Sequence, residues 1–260
     1  MSTILTMIYK VTDKKKFKDQ NLNNWYQNSE FWLQGKMRHL KDVYHTTAKV
    51  IQDVAADIPD RNPLRLIDFG CGEGWLLRLL KEYELDLDYV GVDFNKKFVD
   101  VLKERFRGQV GVKFILHDLE EELPKELIRS ADIVTNFFNF FEIPNLEAAF
   151  SNVSEAIDEG GVLIILTIDP IMQLLAVSEN FEDFLNGLKE YETHQAELGY
   201  DKDIDVGDYR SGKIYKSLLY STATYVELAK KTGLKLFDYR EVVKTGNFVP
   251  QIYQYIFFRK

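Results

Sequence analysis

A doubly wound α/β fold is what this sequence predicts, on three observations. From residue 64 onward, short continuous apolar runs alternate with amphipathic stretches. A glycine cluster, GCGEG at residues 70–74, follows directly on the first run. The second run, YVGV, ends in an acid, Asp93. Continuous apolar strands belong to a sheet covered on both faces, and their alternation with helices makes that sheet mainly parallel. Right-handed crossovers then wind it outward from the centre on both sides.

The elements follow in order. Residues 20–56 read as helical, with Leu33, Met37, Leu40, Tyr44, Thr47 and Ile51 recurring at spacings of three and four along one stripe. The breaker cluster Ile58-Pro59-Asp60-Arg61-Asn62-Pro63 ends this arm. Strands are expected at Leu64–Phe69, Tyr89–Val92, Val112–Leu116, Ile133–Val134 and Val162–Ile168. Helices are expected at Trp75–Glu82, Lys96–Phe106, Leu123–Ile128 and Leu146–Ile157. From Asp169 to about Leu219 the alternation breaks: Phe181, Phe184, Leu185 and Leu188 mark a helix, and the polar GYDKDIDVGDYRSGK follows. Ser221 or Thr222 can cap a further helix running through Lys231 and stopping at Gly233. LKLFDYREVV and QIYQYIFFRK then read as two strands close enough to pair. The expected organisation is a helical arm or lid over residues 1–60 and a main domain over 61–260. A helical insertion at about 170–220 lies over one end of the sheet.

Composition narrows the function classes. A net charge of −8 argues against a nucleic-acid-binding face, which needs clustered Lys and Arg. The run Lys14-Lys15-Lys16 with Lys18 reads as a solvated surface. Cys71, the single cysteine, has no partner for an internal disulfide and sits between two glycines as a small spacer. No run approaches the ~18 apolar residues of a membrane span, and the first residues lack the pattern of a signal peptide. A cytoplasmic protein with no membrane partner is expected, as a monomer or homodimer.

The stretch LIDFGCGEGW, residues 66–75, carries the sharpest signal. Three glycines in five positions after a strand lay backbone N–H groups open to a ligand at the crevice of the sheet. The dinucleotide fingerprint needs a small residue where this chain has Trp75, so that ligand and an NAD-dependent oxidoreductase are disfavoured.

The loop resembles the first motif of class I S-adenosylmethionine-dependent methyltransferases, and other motifs follow in order. YVGVDFN resembles the segment whose acid grips the ribose hydroxyls, here Asp93 beside Phe94. VKFILHDLEEELP resembles the segment that frames adenine, here Asp118-Leu119. ADIVTNFFNFFEIPN resembles the fourth-strand motif near the sulfonium, beginning at Asn136. LEAAFSNVSEAIDEGGVLIILTIDP and YSTATYVELAKKTGLKLFDYREV resemble the family's later elements. The likeness covers roughly residues 64–260. It implies a Rossmann-like seven-stranded sheet, mostly parallel with the last strand antiparallel. It also implies S-adenosylmethionine as cofactor, S-adenosylhomocysteine as product, and a site formed by Asp68, Gly70, Cys71, Gly72, Gly74, Asp93, Phe94, Asp118, Leu119 and Asn136.

Methyl transfer is an in-line displacement, so the protein's tasks are alignment and exclusion of water, often with a base. Candidate bases are His45 and Glu142; His39 and His45 both lie off the stripe of the arm helix, and His117 reads as structural. The aromatic clusters NNWYQNSEFW and NFFNFFEI suggest a lid over an apolar or aromatic acceptor, with Tyr26, Trp32 and Phe140 as candidate contacts. No His, Cys or carboxylate cluster has metal-ligand spacing. The expected activity is methylation of O or N on a small or medium-sized organic acceptor. A non-catalytic cofactor-binding partner subunit and an RNA or protein methyltransferase are the rivals.

Overall fold

In a computed structural model of the protein, the described residues are 8–34, 41–58, 63–194, 197–206, 209–244 and 251–260. The chain opens with β1 (Ile8–Lys10), α1 (Lys14–Gln27), α2 (Ser29–Leu33) and α3 (Lys41–Ala56). Asn28, at φ −102° and ψ 7°, leaves the helical region and separates α1 from α2. Among the described residues the arm therefore holds three helices rather than one continuous helix from residue 20. Met37, His39 and Leu40, and residues 59–62 of the breaker cluster, lie outside the described residues.

The main unit alternates β2 (Leu64–Phe69), α4 (Trp75–Glu82), β3 (Leu87–Asp93), α5 (Lys96–Arg105), β4 (Val112–Leu116), β5 (Ala131–Phe137), α6 (Leu146–Ala156) and β6 (Ile157–Ile168). Then come α7 (Pro170–Val177), α8 (Phe181–His194), β7 (Leu198–Val206), β8 (Tyr209–Leu218), α9 (Thr222–Lys231), β9 (Lys235–Lys244) and β10 (Gln251–Arg259). Seven strands form one sheet in the order β4-β3-β2-β5-β6-β10-β9. β10 runs antiparallel to both β6 and β9, and the remaining pairs are parallel. The strand order reverses between β2 and β5, so the ligand crevice of a doubly wound sheet falls where GCGEG follows β2.

Period-two alternation divides the core between the two faces of the sheet. Ile256 and Phe258 of β10 join Ile67, Val134, Ala149, Phe150 and Tyr225 beneath α6 and α9. Tyr253, Tyr255 and Phe257 join Leu66, Ile133 and Ile164 with Val50, Ile51 and Val54 of α3. α3, within the arm expected over residues 1–60, thus shares its core with the sheet. Ser221 caps α9 by accepting from Thr224 N–H, and Gly233 stops it at φ +79°.

Two expectations fail. Leu123–Ile128 holds only a single 3₁₀ turn at Lys125–Leu127, bounded by Pro124 and a left-handed Arg129, with no room for an α-helix. The polar stretch after α8 is a β-hairpin, β7–β8, and β1 adds to it as a third antiparallel strand. This small sheet packs with α7 and α8 through Leu174, Tyr191, Leu198, Tyr200 and Leu219. A cap of helices and hairpin, built from both ends of the expected lid, therefore covers the crevice.

Candidate functional site

The loop after β2 is built to leave space above it. Gly70 N–H and Cys71 N–H donate to the Val92 carbonyl at 2.8 and 3.1 Å, tying the turn to β3. Gly70, at φ +79°, lies so close to Asn139 that an added Cβ would stand 2.6 Å from its Nδ2. At Gly72, φ +52°, a Cβ would meet only the Gly70 carbonyl at 4.0 Å; it would enter the open crevice. Gly74 starts α4 and packs against Leu102 of α5, away from the opening.

Asp93 ends β3 beside this loop. Its Oδ2 accepts from Gly72 N–H and its Oδ1 from Asn95 N–H, each at 2.8 Å. Burial pushes its carboxyl up to about 6 against the pull of those two donors. Asp93 and Phe94 line both of two adjoining cavities. The smaller is also lined by His117, Asp118 and Leu119, and His117 Nε2 is buried there with no hydrogen-bond partner. Lys18 and Asn21 of α1 form its other wall, and Lys18 Nζ pairs with Asp118 at 2.7 Å.

The larger cavity, about 240 Å³, runs from Gly70, Gly72 and Asp93 into a chamber walled by aromatic rings. All three tryptophans of the chain, Trp25, Trp32 and Trp75, line it. The arm supplies two of them: Trp25 and Trp32 pack at 5.3 Å, and Trp32 Nε1–H donates to the Tyr215 hydroxyl at 2.7 Å. Asn95 Nδ2 donates to the Trp25 carbonyl (3.1 Å) and to Ser29 Oγ (2.9 Å), so the arm is tied two residues beyond Asp93. Asn21 clasps β8 through both backbone groups of Lys216.

Glu142 stands between the cavities on the turn Phe140–Glu142 after β5, and the Trp25 indole N–H donates to its Oε2. Burial pushes its carboxyl up to about 8, opposed by that indole bond and reinforced by Asp93. The preceding Phe138 is held in the left-handed region, φ +56°, by its N–H donating to the Leu166 carbonyl at 2.9 Å. Such strain at a crevice needs surrounding contacts to sustain it.

Several sequence candidates lie elsewhere. Asp68 does not line the cavities: it accepts from the Tyr89 hydroxyl (2.6 Å) and Thr135 Oγ1 (2.8 Å) beneath the loop, and burial pushes it up to about 6. Asn136 is buried beneath the crevice, donating to Phe69 O and Asn139 Oδ1 and accepting from Phe140 N–H. Cys71 is buried and its thiol is pushed well up by burial, so it is an inert spacer. Phe140 turns into the core, stacked on Phe150 and Tyr225, because a one-residue step in the turn reverses its direction. Tyr26 is exposed with Lys97 over its ring, and His45 is exposed and bonded to the Tyr83 hydroxyl. Of the named candidates, Gly70, Gly72, Asp93, Phe94, Glu142 and Trp32 come together at the larger cavity; Asp118 and Leu119 line the smaller. Asn95, Asn139, Tyr215 and Tyr253 went unnoticed, since only the β7–β8 hairpin and the β10 pairing bring the last two there. Among the described residues, no metal-ligand cluster occurs and no helix is long and apolar enough to cross a membrane.

A seven-stranded doubly wound sheet with β10 inserted antiparallel, and an open glycine loop at its switch point, define the class I methyltransferase fold. The chain thus has the fold of class I S-adenosylmethionine-dependent methyltransferases, with a match to a methyltransferase-domain family model over residues 66–161. It is similar to the demethylmenaquinone methyltransferase of Staphylococcus aureus, 29% identical over 44% of this chain and 46% of that protein. It is similar also to a tRNA N(3)-methylcytidine methyltransferase of Schizosaccharomyces pombe, 26% identical over 58% of this chain and 60% of that protein. The chain spans only 5% of a much longer polyketide synthase that it also matches. Among solved structures, an S-adenosylmethionine-dependent methyltransferase of Methanosarcina mazei superposes with a TM-score of 0.58 at 12% identity, covering 81% of this chain and 96% of that one.

The residues present fit the family's cofactor. The crevice side of Gly72 is where a Cβ would intrude, Asp93 offers a carboxylate at the strand end, and His117 offers a buried, unpartnered nitrogen.

Proposed function

We propose that the protein transfers a methyl group from S-adenosylmethionine to an oxygen or nitrogen of a small or medium-sized organic acceptor. One observation carries this reading. The glycine loop and Asp93 open into the same cavity as the aromatic chamber, with Glu142 at the junction. In this reading Gly70 and Gly72 hold the amino-acid end of the cofactor by their exposed backbone. Asp93 accepts from the ribose hydroxyls, while Asp118 and Leu119 frame the adenine with His117 beside them. Bound there, the cofactor supplies an electrophilic methyl on a sulfonium. The chain aligns the acceptor between the rings, excludes water with α1 and the β7–β8 hairpin, and manages the acceptor's proton through Glu142. Residues 8–33 and 170–218 act as one cap over a domain that starts with α3.

A nucleic-acid acceptor is the second reading, favoured by the tRNA-modifying relative. Against it stand the charge of −8 and the lining of the larger cavity, which among the described residues includes no Lys, Arg or His. Methyl-labelled cofactor, incubated with the protein and either a panel of phenols and amines or bulk tRNA, tests both. Transfer of label to small molecules supports the first reading; transfer to RNA alone contradicts it.

A further inference from the structure

We propose, resting on the methyl-transfer reading above, that the acceptor is an amine carrying an apolar or aromatic body, held as its ammonium between the rings and Glu142. Among the described residues, the chamber offers a cation two kinds of partner, aromatic rings and a carboxylate, and offers an anion no cationic side chain. Trp32, Trp75, Phe138 and Tyr253 line its space, and among the described residues no Lys, Arg or His does. Ring faces attract cations, Trp most strongly.

Three carboxylates border the cavity, and two are already engaged. Glu73 pairs with Arg78 at 2.5 Å, with Arg105 at 4.0 Å. Asp93 takes the N–H groups of Gly72 and Asn95. Among the described residues, Glu142 meets a single neutral donor, the Trp25 indole N–H, and of the three it alone stands at the chamber's junction with the smaller cavity without a backbone or guanidinium partner. An acceptor carrying carboxylate or phosphate would lie beside this group without a counter-cation, which selects against it. An ammonium supplies the missing positive charge.

The chemistry closes without a further reactant. Glu142 as carboxylate takes one N–H proton from the bound ammonium, freeing the nitrogen lone pair. That pair forms the new C–N bond as the methyl–sulfur bond breaks, its electrons staying on sulfur. The N-methylammonium leaves with its charge, and Glu142 returns its proton to water. The raised proton affinity of the buried Glu142 carboxyl suits a group that must take a proton from an amine.

Because all three tryptophans line the cavity, intrinsic tryptophan fluorescence reads its occupancy directly, with no cofactor present. Titration at about pH 9, above the value near 8 at which the free Glu142 carboxyl releases its proton and below the ~10 of an alkylammonium, would compare phenethylamine, the neutral 3-phenylpropan-1-ol and the anionic 3-phenylpropionate. Phenethylamine is expected to bind about tenfold or more tighter than the alcohol, with the carboxylate weakest. Glu142→Gln should reduce the amine's affinity by a similar factor while bringing it level with the alcohol. No binding of the amine, equal affinity for the three probes, or an unchanged preference in Glu142→Gln overturns the proposal. S-adenosylhomocysteine binding, measured by calorimetry on the same wild-type sample, separates the two readings. Its loss sinks the methyl-transfer reading; its presence alongside an absent amine preference sinks only this one.

Discussion

Asp93 is a single side chain to which the proposed function gives two tasks, holding the loop and meeting the cofactor. Its two oxygens hold the Gly72 and Asn95 N–H groups, leaving their remaining lone pairs toward the crevice. Asp93→Ala is therefore expected to weaken S-adenosylhomocysteine binding by about tenfold or more, since charge-assisted hydrogen bonds contribute ~1.5–3 kcal/mol. Calorimetry on the folded variant checks this, and unchanged affinity sinks the assignment. Glu142 gives a prediction in pH. Its folded-state carboxyl titrates near 8 and its ordinary value is 4.5. Below 4.5 both states carry the proton, and its contribution to stability is nil. As pH rises from 4.5 to about 8, the unfolded chain releases a proton that the folded chain keeps, so stability falls. The slope is at most about 1.4 kcal/mol per pH unit. Glu142→Gln keeps the bond from Trp25 but removes that loss. Its melting temperature should match wild type at pH 4 and exceed it increasingly toward pH 8. Parallel melting profiles across that range would contradict the buried-acid description.

Elements explain why some of this was legible in the sequence. β2, β4 and α4 run over the residues the periodicity marks, Leu64–Phe69, Val112–Leu116 and Trp75–Glu82, because each pattern is local and uninterrupted. The hairpin β7–β8 was illegible because charged residues interrupt its apolar positions and its partner β1 lies some 190 residues distant. The same non-locality hid Asp68, whose partner Tyr89 lies on the neighbouring strand, and Tyr215, which reaches the cavity only through the hairpin. Phe140 and Phe141 differ by one position in a 3₁₀ turn, yet one enters the core and the other lines the cavity. No periodicity resolves that choice. The arm carries the element-scale prediction. α1 contributes Lys18 to the Asp118 side and Trp25 to Glu142, but it buries only Phe17 and Asn21 along its length. An element with so little buried surface opens at low cost. In hydrogen exchange, S-adenosylhomocysteine should slow the amides of α1 and α2 at least severalfold while leaving β5 and β6 unchanged. Equal exchange with and without ligand would make the arm fixed scaffold.

At the scale of the whole molecule, two sheet faces bury separate cores, and the crevice between β2 and β5 is roofed by a cap drawn from distant parts of the chain. The sheet presents the glycine loop and the cap supplies aromatic rings, so neither alone makes the cavity. The central claim is that the crevice face of the glycine loop holds S-adenosylmethionine. It rests on Gly72, where a side chain would enter the ligand's space and strain a left-handed backbone without striking the core. Calorimetric titration of S-adenosylhomocysteine into wild type and Gly72→Val tests it most directly. Saturable binding to wild type, lost in a variant that keeps its circular dichroism and cooperative melting, is the predicted result. A wild type that does not bind, or a folded Gly72→Val that binds with wild-type affinity, would contradict it.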